Sequence, residues 1–354
     1  MMKPILMTAA AAALVSCANV SGDEAAPLPS WSFEDASIFP ADRTLVRPED
    51  GVVLPDGTLL VADQEYGLAA VSPDGERRAF GEFAAAGYFH APPKNVSGPN
   101  GVSLSPDGSH VLVADVFTGV IYRTDVATGE TRRIYRHAYG VNTAIEDETG
   151  AIWFTHSTEN APPEGDTRLF TAIDMPMADG ALFRLPPPSG HGAYAAAELK
   201  ASGLFFANGV VMDPARRALY VSETMANRII GFDVDTASGA VSNQRLVAEI
   251  IGPDNVELDA SGRIWAASAL GNAVIVIDPE TGDATTVFHP QTDAGDALIA
   301  EWARRMEAGE PALELMAPPM WEPLPGLTTG IILTPGDGPV YVSGAGNALT
   351  RLDR

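Results

Sequence analysis

Cysteine is almost missing from this chain: among 354 residues there is one, Cys17, so no disulfide can form within it. Basic side chains are also scarce. Lys and Arg number 22 against 46 Asp and Glu, for a net charge of −24. Such a surface repels phosphate backbones, which argues against nucleic acid as a partner. Long apolar runs are absent too. The stretch over residues 5–15, after Lys3, is too short to span a bilayer and reads as a secretion signal. No other segment has the length and apolarity of a membrane span.

Glycine and proline, by contrast, are plentiful (34 and 28), and apolar residues make up 46% of the chain, enough for a large core interrupted by many turns. A short phrase recurs six times with its first position varied. It reads Glu49-Asp50-Gly51-Val52, Asn100-Gly101-Val102, Asn142-Thr143-Ala144-Ile145, Asn208-Gly209-Val210, Asp254-Asn255-Val256 and Thr329-Gly330-Ile331. Each copy leads through a turn such as Pro55-Asp56-Gly57 into a strand such as Leu59-Leu60-Val61-Ala62-Asp63. A four-stranded propeller blade takes about 40–45 residues. The spacing of the copies fits one blade each, with insertions between 142 and 208 and between 254 and 329. The expected fold is therefore all-β, a six-bladed β-propeller. Its lead positions carry a carboxylate or amide in five copies, and closure of the ring would bring them to one point on the axis. Oxygen donors converging in that way describe a calcium site, with magnesium or manganese as alternatives; the lack of His and Cys in the set disfavours zinc and copper.

The first insertion, from His156 to Met177, is rich in Pro and Met and suits a lid or pocket wall. The second, from about residue 289 to 325, predicts a helix over 294–307 with Leu298, Trp302 and Met306 on one stripe. That helix is either functional or a surface decoration. Asp63, Asp115 and Glu223 end equivalent strands and are expected to bond the following turns, while Trp153 and Trp265 are expected between blades.

Leu14-Val15-Ser16-Cys17 resembles the lipobox of bacterial lipoproteins, which implies cleavage before Cys17 and a lipid on its thiol. The alternative is an ordinary signal with a chance cysteine. The resulting division is a signal over 1–16, a lipidated tether over 17–43 and the propeller over 44–354. The protein would then sit in the bacterial cell envelope, held to the membrane at Cys17; Asn19 leans towards the outer membrane.

The six phrases and their strands resemble the superfamily of six-bladed propellers that includes gluconolactonase and regucalcin, the paraoxonases and strictosidine-synthase-like proteins. Glu49-Asp50-Gly51-Val52-Val53-Leu54-Pro55-Asp56-Gly57 is similar to the opening of blade one in paraoxonases. Phe206-Ala207-Asn208-Gly209-Val210 and Pro253-Asp254-Asn255-Val256 are similar to shaft motifs across the superfamily, and Ser238-Gly239-Ala240-Val241 to the gluconolactonase branch. The resemblance implies that Glu49, Asn142, Asn208 and Asp254 hold a catalytic metal, with Asn255 as a further paraoxonase-like ligand. It also implies hydrolysis of a small-molecule lactone or ester, a metal-polarised carbonyl being attacked by water, with Asp254 as the candidate base. Asn100 stands where paraoxonases carry a histidine, and no His lies near Val116, so a histidine dyad is not carried over. Asn100 either orients substrate or water or is a turn residue. Thr143 replaces an acidic ligand of a second, structural calcium, and Thr329 has no nearby Glu for amine condensation.

Each residue also has a plainer reading. Asn100-Gly101 and Asn208-Gly209 fit turns that need positive φ, and Glu49 fits an exposed loop acid. His156, at the start of the first insertion, is a candidate substrate-binding or proton-shuttling residue, or a loop histidine bonded to backbone. The other histidines show no pairing signal. Two functions remain open from the sequence: a monomeric metal-dependent lactonase or esterase, or a non-catalytic lipid-anchored propeller whose metal is a structural pin.

Overall fold

The computed structural model describes residues 27–188 and 194–354. The expected signal over 1–16, Cys17 with its lipid, the first part of the tether and His191 lie outside the described residues. Six four-stranded antiparallel sheets form the blades of a propeller. Five are built from consecutive strands, over residues 51–79, 99–136, 144–204, 207–249 and 253–288. The sixth is composite. Thr328–Leu333, Val340–Gly344 and Leu349–Leu352 form its three inner strands, and Ala36–Phe39 adds the outer one. Ala36 lies opposite Leu352 and Phe39 opposite Leu349, so the two ends of the chain close the ring and cover an edge that would otherwise be open. Trp31 adds to the seal: its Nε1 donates to the Asp353 carbonyl at 2.8 Å. A propeller boundary at residue 44 is thus too late, because part of the expected tether is a strand of blade six.

The second strand of each blade is buried along its whole length, as in Leu59–Asp63, Ile152–His156 and Ile264–Ser268. Both of its faces meet neighbouring blades, which is why these segments read as unbroken apolar runs rather than alternating ones. Trp153 packs with Leu219 and Val221 of blade four, and Trp265 with Ile331 and Val342 of blade six. Their indole N–H groups are satisfied by Asp147 at 2.8 Å and Asp259 at 3.0 Å. The strand-ending acids do bond the adjoining turns. Asp115 Oδ1 accepts from the backbone of Gly98, Phe117 and Thr118, and Glu223 Oε1 from Phe205.

Both insertions carry helices. α1, Gly165–Asp174, is a helix that the Pro-rich sequence around it concealed. α2, Asp293–Ala308, matches the expected one, capped by Thr292 at one end and by left-handed Gly309 at the other. Its stripe Leu298, Trp302 and Met306 packs with Leu270 and Met320. Asp174 clips the two insertions together: its Oδ1 accepts from Ala312 and Leu313 backbone N–H groups, both at 2.8 Å.

Candidate active site

The six lead residues sit at the beginnings of the innermost strands. In four blades the pairing register slips at the phrase itself, between Pro99 and Val102, Ala207 and Val210, Pro253 and Val256, and Thr328 and Gly330. Such bulges re-aim side chains out of the regular pleat. The result is that Glu49, Asn100, Asn142, Asn208, Asp254 and Thr329 all line one cavity of about 230 Å³ at the head of the shaft.

Three oxygens there are buried and have no hydrogen-bond partner: Glu49 Oε2, Asn208 Oδ1 and Asp254 Oδ1, one from each of three blades. The Asn208 amide is held so that its oxygen stays free, since its Nδ2 donates to Thr224 Oγ1 at 3.1 Å and that hydroxyl donates to the Pro253 carbonyl at 2.7 Å. The Glu49 carbonyl is pinned by the hydroxyls of Thr329 at 3.1 Å and Ser343 at 3.0 Å. Asn142 differs. Its Oδ1 already accepts from Thr143 Oγ1 at 3.1 Å and Asn100 Nδ2 at 3.2 Å, while its Nδ2 donates to Ser157 at 3.0 Å. Burial, and then the charge of Glu49, push the Asp254 carboxyl well above the usual carboxylate range. Two carboxyl groups held together out of water, with orphaned amide oxygen beside them, form an acceptor set suited to a hard cation. Among the described residues no group of three or more His, Cys, Asp or Glu side chains could hold a metal, so a cation here would depend on amide as well as carboxylate donors.

Away from these polar groups the walls are mostly apolar, with Asn95 as the exception. Leu169, Phe170 and Ile173 come from α1, Met316 from the second insertion, and Phe117, Phe206, Leu270 and Leu327 from the blades.

The profile described as the SMP-30/Gluconolactonase/LRE-like region matches residues 26–139 and 128–293. The chain belongs to that family. Among family relatives, regucalcin of Danio rerio is 33% identical over 79 residues, which are 21% of this chain and 27% of that protein. Gluconolactonase of Zymomonas mobilis subsp. mobilis is 26% identical over 212 residues, 55% of this chain and 54% of that one. The matches thus span between about a quarter and about half of these relatives' length. Of solved structures, a gluconolactonase from Xanthomonas campestris superposes with TM-score 0.58 at 20% identity, covering 88% of this chain and 87% of that one. A structure described as a calcium-binding protein, regucalcin, from Agrobacterium tumefaciens gives 0.56 at 16%, covering 88% and 91%. At these identities the likeness concerns the fold.

In this member of the SMP-30/gluconolactonase family two expected site residues fall elsewhere. Asn255 follows Asp254 through the bulge and turns the other way, into a second cavity at the foot of the shaft, where its Oδ1 accepts from Thr143 at 3.0 Å. It is not beside the other donors. His156 is buried and does not line the cavity: one ring nitrogen lies 3.0 Å from the Asp179 carbonyl and the other 3.0 Å from His137 Nε2. Burial lowers its pKa, so it is held as a neutral packing group. His137 is therefore paired after all, as is His110, whose Nε2 lies 2.5 Å from Glu146. Nor do Gly101 and Gly209 mark turns, because neither has positive φ. They allow blades to meet: a Cβ on either would stand 2.7 Å from the Cα of Thr143 or Asn255.

Sequence reasoning missed Arg47. It lines the cavity two residues before Glu49, its Nε 3.5 Å from Glu49 Oε2 and its Nη2 donating to Asn100 Oδ1 at 3.0 Å. The other blades carry Gly98, Gly140, Phe206, Gly252 and Leu327 at that place. A cation occurring once in six repeats gives no register signal, so comparing the copies could not find it.

Proposed function

We propose that this protein hydrolyses lactones or esters at the head of its shaft and that a divalent cation, calcium first, takes part. The observation that supports this reading is the set of three orphaned buried oxygens, from Glu49, Asn208 and Asp254, facing one cavity. Asn142 is a further donor if it gives up the Asn100 amide. The set fits a divalent ion in charge and hardness: two carboxylates balance it and no sulfur or imidazole competes. Such an ion, when bound, supplies Lewis-acid polarisation of the substrate carbonyl.

The chain's own groups do the rest. Asp254, once ionised, is the base that takes a proton from the attacking water, and it returns that proton to the leaving oxygen as the acyl C–O bond breaks. Arg47, fixed by Asn100 and Glu49, supplies a donor towards the oxygen on which negative charge develops. The apolar walls exclude bulk water and strengthen these interactions.

The test is a panel of lactones and aryl esters assayed with calcium, with chelator, and with calcium restored. Turnover that vanishes on chelation and returns on repletion is the expected result. Tight calcium binding without turnover of any member would assign the head to a binding module instead.

A further inference from the structure

The wall of the head cavity and the backbone at Arg47 say more about what enters. Arg47 has φ +54°, and its equivalents in blades four and five, Phe206 and Gly252, are left-handed too, at φ +58° and +49°, so the conformation belongs to the repeat and aims the side chains of Arg47 and Phe206 at the shaft. Arg47 is held by three contacts. Its guanidinium carbon lies 5.7 Å from the centre of the Phe117 ring, Nη2 is bonded to Asn100, and Nε faces Glu49. Its Nη1 is buried and has no acceptor. A buried guanidinium N–H aimed at nothing is costly, and a ligand oxygen would satisfy it.

Beyond that donor, Phe117, Leu169, Phe170, Ile173, Leu270 and Met316 offer no polar side-chain atom except the weak sulfur of methionine. Most hydroxyls of a sugar lactone would lose their water against such a wall and gain no partner there, Asn95 being the one amide of the cavity apart from the lead residues. An alkyl or aryl group would bury apolar surface instead. Phe170 is still 40% exposed, so part of the wall is free to be covered.

We propose that this cavity takes an apolar lactone or ester, with an alkyl or aryl body under α1 and its acyl oxygens within reach of Arg47, and that it rejects polyhydroxylated sugar lactones. This rests on the hydrolytic reading above. Arg47 is the specificity residue: it holds the carbonyl end before reaction and the carboxylate of the product afterwards.

The experiment pairs turnover with binding on the full chain in calcium. Along γ-lactones from butyrolactone to decalactone, kcat/KM should rise by about fourfold per added methylene until the cavity is full. δ-Gluconolactone should be at least about a hundredfold poorer than γ-decalactone. By calorimetry, decanoate should bind at least about a hundredfold more tightly than gluconate. Arg47→Gln should weaken decanoate about tenfold, with Arg47→Lys between the two. Phe170→Asn, at a half-open surface position that leaves folding intact, should weaken decanoate and leave gluconate unchanged. δ-Gluconolactone turned over as well as the alkyl lactones would overturn the substrate class and leave the lactonase reading standing. No turnover of any lactone or aryl ester would remove that reading, and the decanoate and gluconate affinities would still decide what the cavity takes: equal affinities, or a decanoate affinity indifferent to both substitutions, overturn the proposal.

Discussion

The head and the foot of the shaft are built by the same six strands from adjacent residues of the same phrases, yet they are different environments. At the head, Glu49 and Asp254 stand with free amide oxygen, one arginine and an apolar roof. At the foot, a cavity of about 250 Å³ is lined by Asp50, Thr143, Asn255, Glu146 and Glu257. The foot is at least as acidic. Two of its acids are partly engaged: Asp50 Oδ2 accepts from the Val102 backbone at 2.9 Å, its Oδ1 staying buried without a partner, and Glu146 is taken by His110. Burial pushes Asp50 up to about 7 and Glu257 up to about 8, so Glu257 keeps its proton at neutral pH while Asp50 gives it up there. Acidity alone therefore does not make a centre. What sets the head apart is that its free oxygens share one target and are roofed against water.

The largest effect should separate the two ends outright. Asp254→Ala is expected to lower kcat by about a thousandfold or more, through loss of a base and a ligand together. Glu257→Gln at the foot should leave kcat within about twofold. Equal losses at both ends would erase the distinction. Next in size is calcium itself. At a hundred times its Kd it should stabilise the fold by about 2.7 kcal/mol, read as a rise of roughly 5 °C in Tm. The raised Asp254 carboxyl must lose its proton to bind, so the increment should be smaller at pH 5 than at pH 8. An increment independent of pH would mean that the carboxyls at the head are not the ligands.

Within the head, Asn208 and Asn142 are distinguishable although both begin an innermost phrase. Asn208 Oδ1 is free, whereas Asn142 Oδ1 already serves two donors. Asn208→Ala should weaken calcium by about tenfold or more, and Asn142→Ala by clearly less. Calorimetric titration of the two variants measures the difference, and the reverse order would show that Asn142 reorients on binding.

How much of this was legible beforehand follows from the same physics. Ring closure, blade number and the lead donors could be read because they repeat: each blade faces the same packing problem, so the same residue types recur at the same place. Asn255 was misplaced because a bulge breaks the alternation that strand reasoning assumes, and a bulge leaves no mark in composition. Arg47 was missed because it occurs once. α1 was hidden by flanking prolines and its short apolar stripe, Leu169, Ala172 and Ile173, while α2 was found from a longer one. The strand Ala36–Phe39 was assigned to the tether because its partner, Leu349–Leu352, lies at the other end of the chain, a pairing no local pattern reveals.

The smallest expected effect is a slope, and it carries the comparison furthest. Glu257 titrates near 8 in the folded chain against an ordinary value of 4.5, with burial as the main cause and Asp50 adding to it. Between those values the native state binds more protons than the unfolded one, so stability must fall as pH rises, by at most about 1.4 kcal/mol per pH unit from this group. Asp254 has the same sign in chelated protein, for the same reason of burial. The ends part when calcium is added. On the proposed reading, charge compensation at the head would remove the contribution of Asp254 and leave that of Glu257 in place. Denaturant melts between pH 7 and 8.5, above most of the titration of Asp50, should therefore show a slope that calcium reduces and does not abolish, and Glu257→Gln should take away most of the remainder. A slope that calcium flattens completely in the native chain would place a second cation at the foot and end the contrast between the two chambers.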